Sequence, residues 1–367
     1  MAATPQRVLV VGTGLIGTSV ALALQRVGTD VSLQDTQVDA LAGAQRRTRA
    51  PAGWPAQQPD VVVVAVPPAA SAGVVADVLG RYPGATVTDV TSVKAGPLRR
   101  LAELDADLSR VVGGHPLAGR EVSGPAAARD DLFADRPWVL TPTPATDPHR
   151  LAAVVALVTA CRAVPVTMSA ADHDRAVALT SHVPQLLASV LAGRLTAAAD
   201  DQVAVSGQGL RDATRVAASD PALWSEILSA NAAPVAEVLD AVVADLDAVA
   251  AALRVLASTD ASPAAATAAA DAVQAVLRRG NDGHAKVPGK HGDAAVPLAA
   301  IPVVVADSPG ELGRLFAVVG EAGVNLEDVR IEHALGRATG VVELSVRADA
   351  AAALAAVLVA RGWSVRG

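Results

Sequence analysis

The start of the chain constrains its fold most: a short apolar strand, Arg7–Val11, runs straight into Gly12-Thr13-Gly14-Leu15-Ile16-Gly17 and then a helical stretch to about Arg26. Three glycines at this spacing are weak evidence by themselves. Between a strand and a helix, they form the turn that wraps a dinucleotide pyrophosphate. Gly12 permits the tight turn, Gly14 lets phosphate approach the backbone, and Gly17 lets the helix pack on the sheet. The first helical turn, with Leu15 and Ile16, offers free N–H groups and a positive dipole end to the anion. Asp35 follows the second strand, Val31–Gln34. A carboxylate there accepts hydrogen bonds from ribose hydroxyls and repels a 2′-phosphate. No Arg or Lys follows until Arg46, so NAD is expected rather than NADP.

Residues 1–168 alternate such strands with helical stretches. Val61–Val66, Thr86–Val90, Val111–Gly113 and Trp138–Thr141 are further strand candidates, several of them nearly continuous valine. Such runs suit parallel strands buried on both faces, and the alternation predicts a doubly wound α/β Rossmann domain. From 169 to 280 the strand signal is gone. Alanine-rich stretches dominate, and Val238, Val242, Leu246, Val249 and Leu253 follow helical spacing. This predicts an all-helical domain whose length and small residues allow close helix approach, which suits a dimer core. Residues 281–296 are rich in Gly, Pro and charge and are expected to be a linker, with Pro288–Gly292 a candidate for docking between domains. Residues 297–367 show the order βαββαβ, a small ferredoxin-like α+β domain.

Composition excludes some partners. The formal net charge is −7 with no basic block, which argues against nucleic acid. Small anionic substrates need only a few local cations. Cys161 is the only cysteine among 367 residues, so no intramolecular disulfide and no cysteine-based metal site can form, and no metal is expected. The N-terminus enters a strand with no room for a signal peptide, and the apolar run at 151–161 is too short to span a bilayer. A soluble cytoplasmic protein with no membrane association is the expectation.

Polar groups with chemical potential gather at strand ends. Val111-Val112-Gly113-Gly114-His115-Pro116 places His115 just past a buried strand, where glycines would let the backbone turn sharply. In open α/β sheets that edge is the ligand crevice. Thr88–Lys94 ends the preceding strand and would present Ser92 and Lys94 at the same edge. In the helical part, Asp172-His173-Asp174 and Ser181-His182-Val183-Pro184-Gln185 add polar side chains. Arg211 and Arg215 lie four apart on one helix face beside a glycine-rich bend. Spacing leaves two readings open there: bidentate binding of carboxylates, or a solvated face paired with Asp212 and Asp220.

Taken in order, the GxGxxG turn, TSVK, GGHPLAG, DHD, SHVP and GLRDATRVAASDPALW resemble the prephenate and arogenate dehydrogenases over about residues 7–260. The resemblance implies a Rossmann domain and a helical domain forming a homodimer. It implies NAD-dependent oxidation of a small anionic cyclohexadiene: prephenate to 4-hydroxyphenylpyruvate with loss of carbon dioxide, or arogenate to tyrosine. It implies that His115 takes the proton of the ring hydroxyl, that Ser92 hydrogen-bonds that hydroxyl or the histidine, and that Arg215 holds a substrate carboxylate. Glu121, His182, Arg211 and Trp224 would line or gate the pocket. Two departures bear on the substrate side chain, ketone or amine: Gln185 replaces a second histidine common in the family, and Gln208 interrupts the glycine-rich bend. A 3-hydroxyacid dehydrogenase shares the two-domain plan but depends on a helical-domain lysine, and 169–279 contains none. A non-enzymatic NAD- and amino-acid-responsive binding protein is the other alternative.

Asp307-Ser308-Pro309-Gly310-Glu311-Leu312 looks like a helix start, with Ser308 as cap, Pro309 in first position and Glu311 completing a capping box. Leu312, Leu315, Phe316 and Val319 would form the buried stripe. The segment resembles an ACT domain. By that resemblance, Asp307, Gly310, Leu312 and Asn325 would bind an aromatic amino-acid effector such as tyrosine, unless the module is purely structural.

Overall fold

The computed structural model describes residues 3–119, 122–287, 297–333 and 339–366. Its first sheet contains β1 (Arg7–Val11), β2 (Asp30–Gln34), β3 (Val61–Val64), β4 (Thr86–Asp89), β5 (Val111–Pro116), β6 (Pro137–Thr141) and β7 (Val164–Thr167). Helices α1 (Leu15–Gln25), α2 (Val38–Thr48), α3 (Pro68–Arg81), α4 (Ala95–Glu103) and α5 (Pro148–Ala160) connect them. Strand order is β2-β1-β3-β4-β5-β6-β7. The chain leaves β1 toward β2 and returns to β3 on the other side, so the C-terminal ends of β1 and β3 form a topological switch point, the usual ligand crevice.

The valine runs are explained by two-sided burial. Val61 and Val63 pack with Val8, Val10, Leu24 and Trp138 on one face. Val62 and Val64 pack with Leu9, Val11, Val75 and Leu79 on the other. Successive side chains point to opposite faces, so both sets must be apolar.

The sheet is mixed rather than wholly parallel. β6 runs antiparallel to β5, and β7 pairs parallel with β6. The sequence pattern passes over β7 because Pro165 interrupts it and its side chains are only partly covered, as suits the sheet edge. β5 is longer than expected, and His115 lies within it, opposite Val139, rather than past its end. Pairing with β4 stops at Val112, and antiparallel β6 takes over from Gly113. Gly113 and Gly114 therefore make no sharp turn. A Cβ at 113 would lie 2.4 Å from Thr141 Oγ1, and one at 114 would lie 2.6 Å from the Asp89 carbonyl oxygen. Close packing, not turning, requires glycine at both.

Helices follow from Ala170: α6 (Ala170–Val177), α7 (Val183–Arg194), α8 (Asp200–Ala204), α9 (Gln208–Thr214), α10 (Pro221–Ala230), α11 (Ala232–Ala257) and α12 (Pro263–His284). A wide π turn, Ala178–His182, joins α6 to α7. The stretch Ala170–Ala197 is long and apolar enough to cross a membrane by length and composition. Its buried His173, Asp174, His182 and Gln185 are all hydrogen-bonded to residues outside the stretch or to one another, as in a core helix. Val238 and Val242 of α11 pack beside Ala178, Val183 and Val235. Farther along the expected stripe, Leu246 and Leu253 are 57% and 51% exposed in the single chain. Helix α12 continues to His284, into the segment expected to be linker, and the docking candidate Pro288–Gly292 lies outside the described residues.

The chain divides into two compact units, the first ending at Val242 and the second beginning at Val243. The second contains β8 (Leu298–Ala306), α13 (Glu311–Glu321), β9 (Asp328–His333), β10 (Thr339–Arg347), α14 (Ala348–Ala360) and β11 (Ser364–Val365). Its sheet has the order β11-β8-β10-β9, with every pair antiparallel. Ile301, Val303, Leu315, Leu344, Leu354 and Leu358 form its core. The expected capping box at Ser308 is absent. Gly310, left-handed at φ 92°, is the N-cap, and α13 starts at Glu311. A left-handed residue cannot continue a right-handed helix, so Pro309 stays in the preceding turn. Phe316 is 39% exposed, and Val318 takes its expected place in the buried stripe.

Candidate active site

The turn after β1 is shaped by two different demands on glycine. Gly12 has φ +96°, and a Cβ there would meet the Ala65 carbonyl oxygen at 2.3 Å. A Cβ on Gly17 would lie 1.9 Å from the Gly12 carbonyl oxygen. Gly14 differs: nothing lies within 4 Å of its Cβ position. The protein itself requires the outer two glycines, while the middle one faces open space, the approach a pyrophosphate needs. Among the described residues no side chain caps the α1 N-terminus, where Leu15 and Ile16 sit half-buried, so its N–H groups face that space without a described side-chain acceptor. Asp35 ties the end of β2 to this turn, accepting from Thr13 N at 2.6 Å, Thr13 Oγ1 at 2.8 Å and Gln37 N at 2.8 Å. This donor set and open cradle fit a dinucleotide.

Around His115 the network is dense. Asp89, at the end of β4, accepts from Gly114 N at 3.2 Å, from Thr91 N at 3.0 Å and Thr91 Oγ1 at 2.5 Å, and from Lys94 Nζ. Lys94 Nζ also donates to Thr91 Oγ1 at 2.9 Å and to the Gly114 carbonyl at 2.6 Å. Lys94 is thus not presented at the sheet edge: it is 3% exposed and clamps β4 to the strand carrying His115. Burial pushes its ammonium below the ordinary lysine range, with Asp89 opposing. Ser92 is half-buried, and among the described residues no hydrogen bond joins its hydroxyl to His115.

Instead, His115 Nδ1 lies 2.8 Å from His173 Nε2, the two rings meeting edge-to-face with centroids 5.1 Å apart. His173 Nδ1 lies 2.8 Å from Asp174 Oδ1. Burial pushes the His115 imidazole well below its ordinary value, and Lys94, His173 and His182 add to the effect. Asp174 also caps α4, accepting from Lys94 N and Ala95 N, each at 2.8 Å. Burial alone would raise its carboxyl, but the His173 hydrogen bond and the two N–H donors outweigh that and hold it below the usual range. Asn231 Nδ2 donates to the Asp174 carbonyl at 2.8 Å and lies 3.0 Å from His182 Nδ1. His182 is buried and meets Trp224 edge-to-face at 6.0 Å. Burial, chiefly, lowers its imidazole too, with Asp174 opposing and His173 adding.

Gln185 is buried and donates to the Val216 carbonyl at 2.9 Å, fixing the turn Arg215–Ala218 that Arg215 opens. Arg211, near the end of α9, and Arg215 are both exposed. Asp212 accepts from Gln208 at 2.9 Å, and Asp220 caps α10 through Ala222 N at 2.9 Å. Glu121 lies outside the described residues.

Two profiles of one family match this chain: the prephenate dehydrogenase nucleotide-binding domain over residues 20–167, and the prephenate dehydrogenase dimerization domain over 169–262. A probable prephenate dehydrogenase from Streptomyces niveus is 39% identical over 357 residues, covering 97% of this chain and 98% of its own. The chain belongs to the prephenate dehydrogenase family. A cyclohexadienyl dehydrogenase from Zymomonas mobilis is 32% identical over 265 residues, covering 66% of this chain and 86% of its own. Among solved structures, the prephenate dehydrogenase of Aquifex aeolicus in complex with hydroxyphenyl propionate and NAD+ is similar at 26% identity and a TM-score of 0.66, covering 77% of this chain and 99% of that one. The Synechocystis arogenate dehydrogenase is similar at 27% identity and a TM-score of 0.62, covering 76% and 98%.

For this prephenate dehydrogenase family member, the fold joins several of the expected site residues. Gly12, Gly14, Gly17 and Asp35 meet at one turn. His115, His182 and Trp224 belong to one connected network. His173, Asp174 and Asn231, which link them, carry no site role in the sequence pattern alone. The signal was the DHD run inside an otherwise apolar helical stretch, and a single Asn between two alanine-rich helices.

Proposed function

We propose that the protein is an NAD-dependent prephenate dehydrogenase of tyrosine biosynthesis, converting prephenate to 4-hydroxyphenylpyruvate. The observation that carries this reading is His115: a neutral, half-buried imidazole engaged at Nδ1, in a chain whose first strand ends in a dinucleotide turn. The turn Gly12–Gly17 and Asp35 hold NAD, which when bound accepts the hydride. His115 Nε2 accepts the ring hydroxyl and draws its proton as the hydride leaves the same carbon. Loss of the ring carboxylate as carbon dioxide sends an electron pair through the ring to that oxygen, which takes the proton back, so charge and protons balance. Arg215 binds a substrate carboxylate. Ser92, Arg211, His182 and Trp224 border the pocket.

Arogenate is the second candidate substrate. Gln185 beside the Arg215 turn and the likeness to an arogenate dehydrogenase favour it. Rates with prephenate and arogenate, each with NAD and NADP, decide: the fastest turnover is expected with prephenate and NAD. Faster arogenate turnover would reassign the substrate, and cofactor binding without either turnover would leave a binding protein.

The protein acts as a cytoplasmic homodimer. The family's dimerization profile and the exposed apolar residues of α11 support the dimer. The C-terminal domain is ferredoxin-like and ACT-like, its βαββαβ order and antiparallel sheet supporting that reading. Asp307, Gly310, Leu312 and Asn325 bind an aromatic amino acid there. Gly310 keeps the loop before α13 in a left-handed turn, and Asn325 Nδ2 donates to Glu327 Oε1 at 3.2 Å. Tyrosine is expected to shift both thermal stability and activity; no change in either would leave the module structural.

A further inference from the structure

Asp174 carries two hydrogen-bonded branches, one from its side chain and one from its backbone. An ionised carboxylate only accepts, so His173 must carry its proton on Nδ1 to satisfy the 2.8 Å contact. With a single ring proton, His173 Nε2 is then bare and can only accept. It sits 2.8 Å from His115 Nδ1, so that atom carries the His115 proton and Nε2 of His115 is left unprotonated. The second branch is equally directional. The Asp174 carbonyl can only accept, so the Asn231 atom at 2.8 Å is its amide nitrogen. That nitrogen also faces His182 Nδ1 at 3.0 Å, which must accept and so leaves the proton of neutral His182 on Nε2.

We infer that Asp174 is a positioning residue that sets opposite tautomers in two site histidines: His115 with a bare Nε2 that accepts a proton, and His182 with an Nε2–H that donates a hydrogen bond. The carboxylate is itself pinned by two N–H groups at the start of α4, which keeps it ionised and fixes the direction of the whole chain. His173 transmits the setting without touching substrate. The free imidazole has no such bias, and an unprotonated Nε2 is what a base at this place requires. Matching a neutral donor to a neutral acceptor lets one site grip a hydroxyl as proton source and a second oxygen as hydrogen-bond acceptor. The inference rests on the base role of His115 proposed above.

Long-range 1H–15N spectra of the full-length protein labelled at histidine read which ring nitrogen carries the proton. In the wild type, His115 is expected to show a protonated Nδ1 and a bare Nε2, and His182 the reverse. A wild-type His115 protonated at Nε2 would overturn the inference without any variant. His173→Leu removes the acceptor, so His115 should move its proton to Nε2 and kcat should fall at least about a hundredfold with a smaller change in KM. His173→Gln restores an acceptor oxygen and should recover part of both the tautomer and the rate. The unchanged His182 pattern reports that the variants are folded. If His115 keeps its tautomer in His173→Leu, Asp174 does not set it. If the tautomer switches and kcat does not fall, the base role of His115 fails instead.

Discussion

His115 is held neutral by its surroundings, and this has a kinetic consequence. His115→Asn is expected to lower kcat by about 10²–10⁴-fold, the range for a lost general base. Near-normal turnover in a stopped-flow or steady-state assay would remove the role. Because burial, Lys94, His173 and His182 all push the imidazole down from its ordinary 6.5, the acid limb of kcat/KM should fall below that value. Activity is lost as pH falls through the depressed value, since only then does the base become protonated. An acid limb at or above the free-imidazole value would contradict the assignment. Arg215→Ala is expected to raise KM by about 10- to 150-fold, the equivalent of the about 1.5–3 kcal/mol that charge-assisted hydrogen bonds contribute, with less effect on kcat. An unchanged KM would place the substrate carboxylate elsewhere.

At the scale of elements, the turn between β1 and α1 separates what the fold needs from what the cofactor needs. Gly17→Ala drives a Cβ against the Gly12 carbonyl oxygen, a backbone atom that cannot swing away. It should cost about 1–3 kcal/mol of stability, as overpacking does. Gly14→Ala meets nothing at its Cβ and has an ordinary φ of −67°. It should leave Tm unchanged or slightly raised while KM for NAD increases. Calorimetry and coenzyme titration on both variants separate the two effects, and an undiminished NAD affinity in Gly14→Ala would mean the pyrophosphate lies elsewhere. The β5–β6 pair shows the opposite case. Nothing local in Gly114-His115-Pro116 marks strand, because its partner, Pro137–Thr141, is remote in the chain and supplies both the pairing and the crowding.

For the whole molecule, two expectations concern assembly and pH. Leu246 and Leu253 are exposed on α11 at helical spacing, an apolar face that a second copy would cover. Replacing both with Glu should shift the protein from dimer to monomer in sedimentation; a dimer that persists would place the interface elsewhere. The folded-state values of His115 and His182 both lie below 6.5, so between those values and 6.5 the unfolded chain binds more protons. Stability therefore rises with pH through that window, is fully present above about 6.5, and is lost as pH falls toward the depressed values. Tm should drop on acidification, and His115→Asn should reduce the drop. An equal drop in the variant would mean this imidazole does not contribute.

What was legible in the sequence is what short-range physics determines. The glycine spacing, the valine runs buried on both faces and the alanine-rich helices follow from local sterics and from periodicity, so the Rossmann plan and the family could be read directly. The position of His115 in a strand, the inward turn of Lys94 and the chain from Asp174 through His173 depend on contacts across 20 to 80 residues. Hydrogen-bond direction and desolvation arise only when those segments meet. A linear pattern can therefore name the histidine, but only the folded chain decides which of its nitrogens is bare.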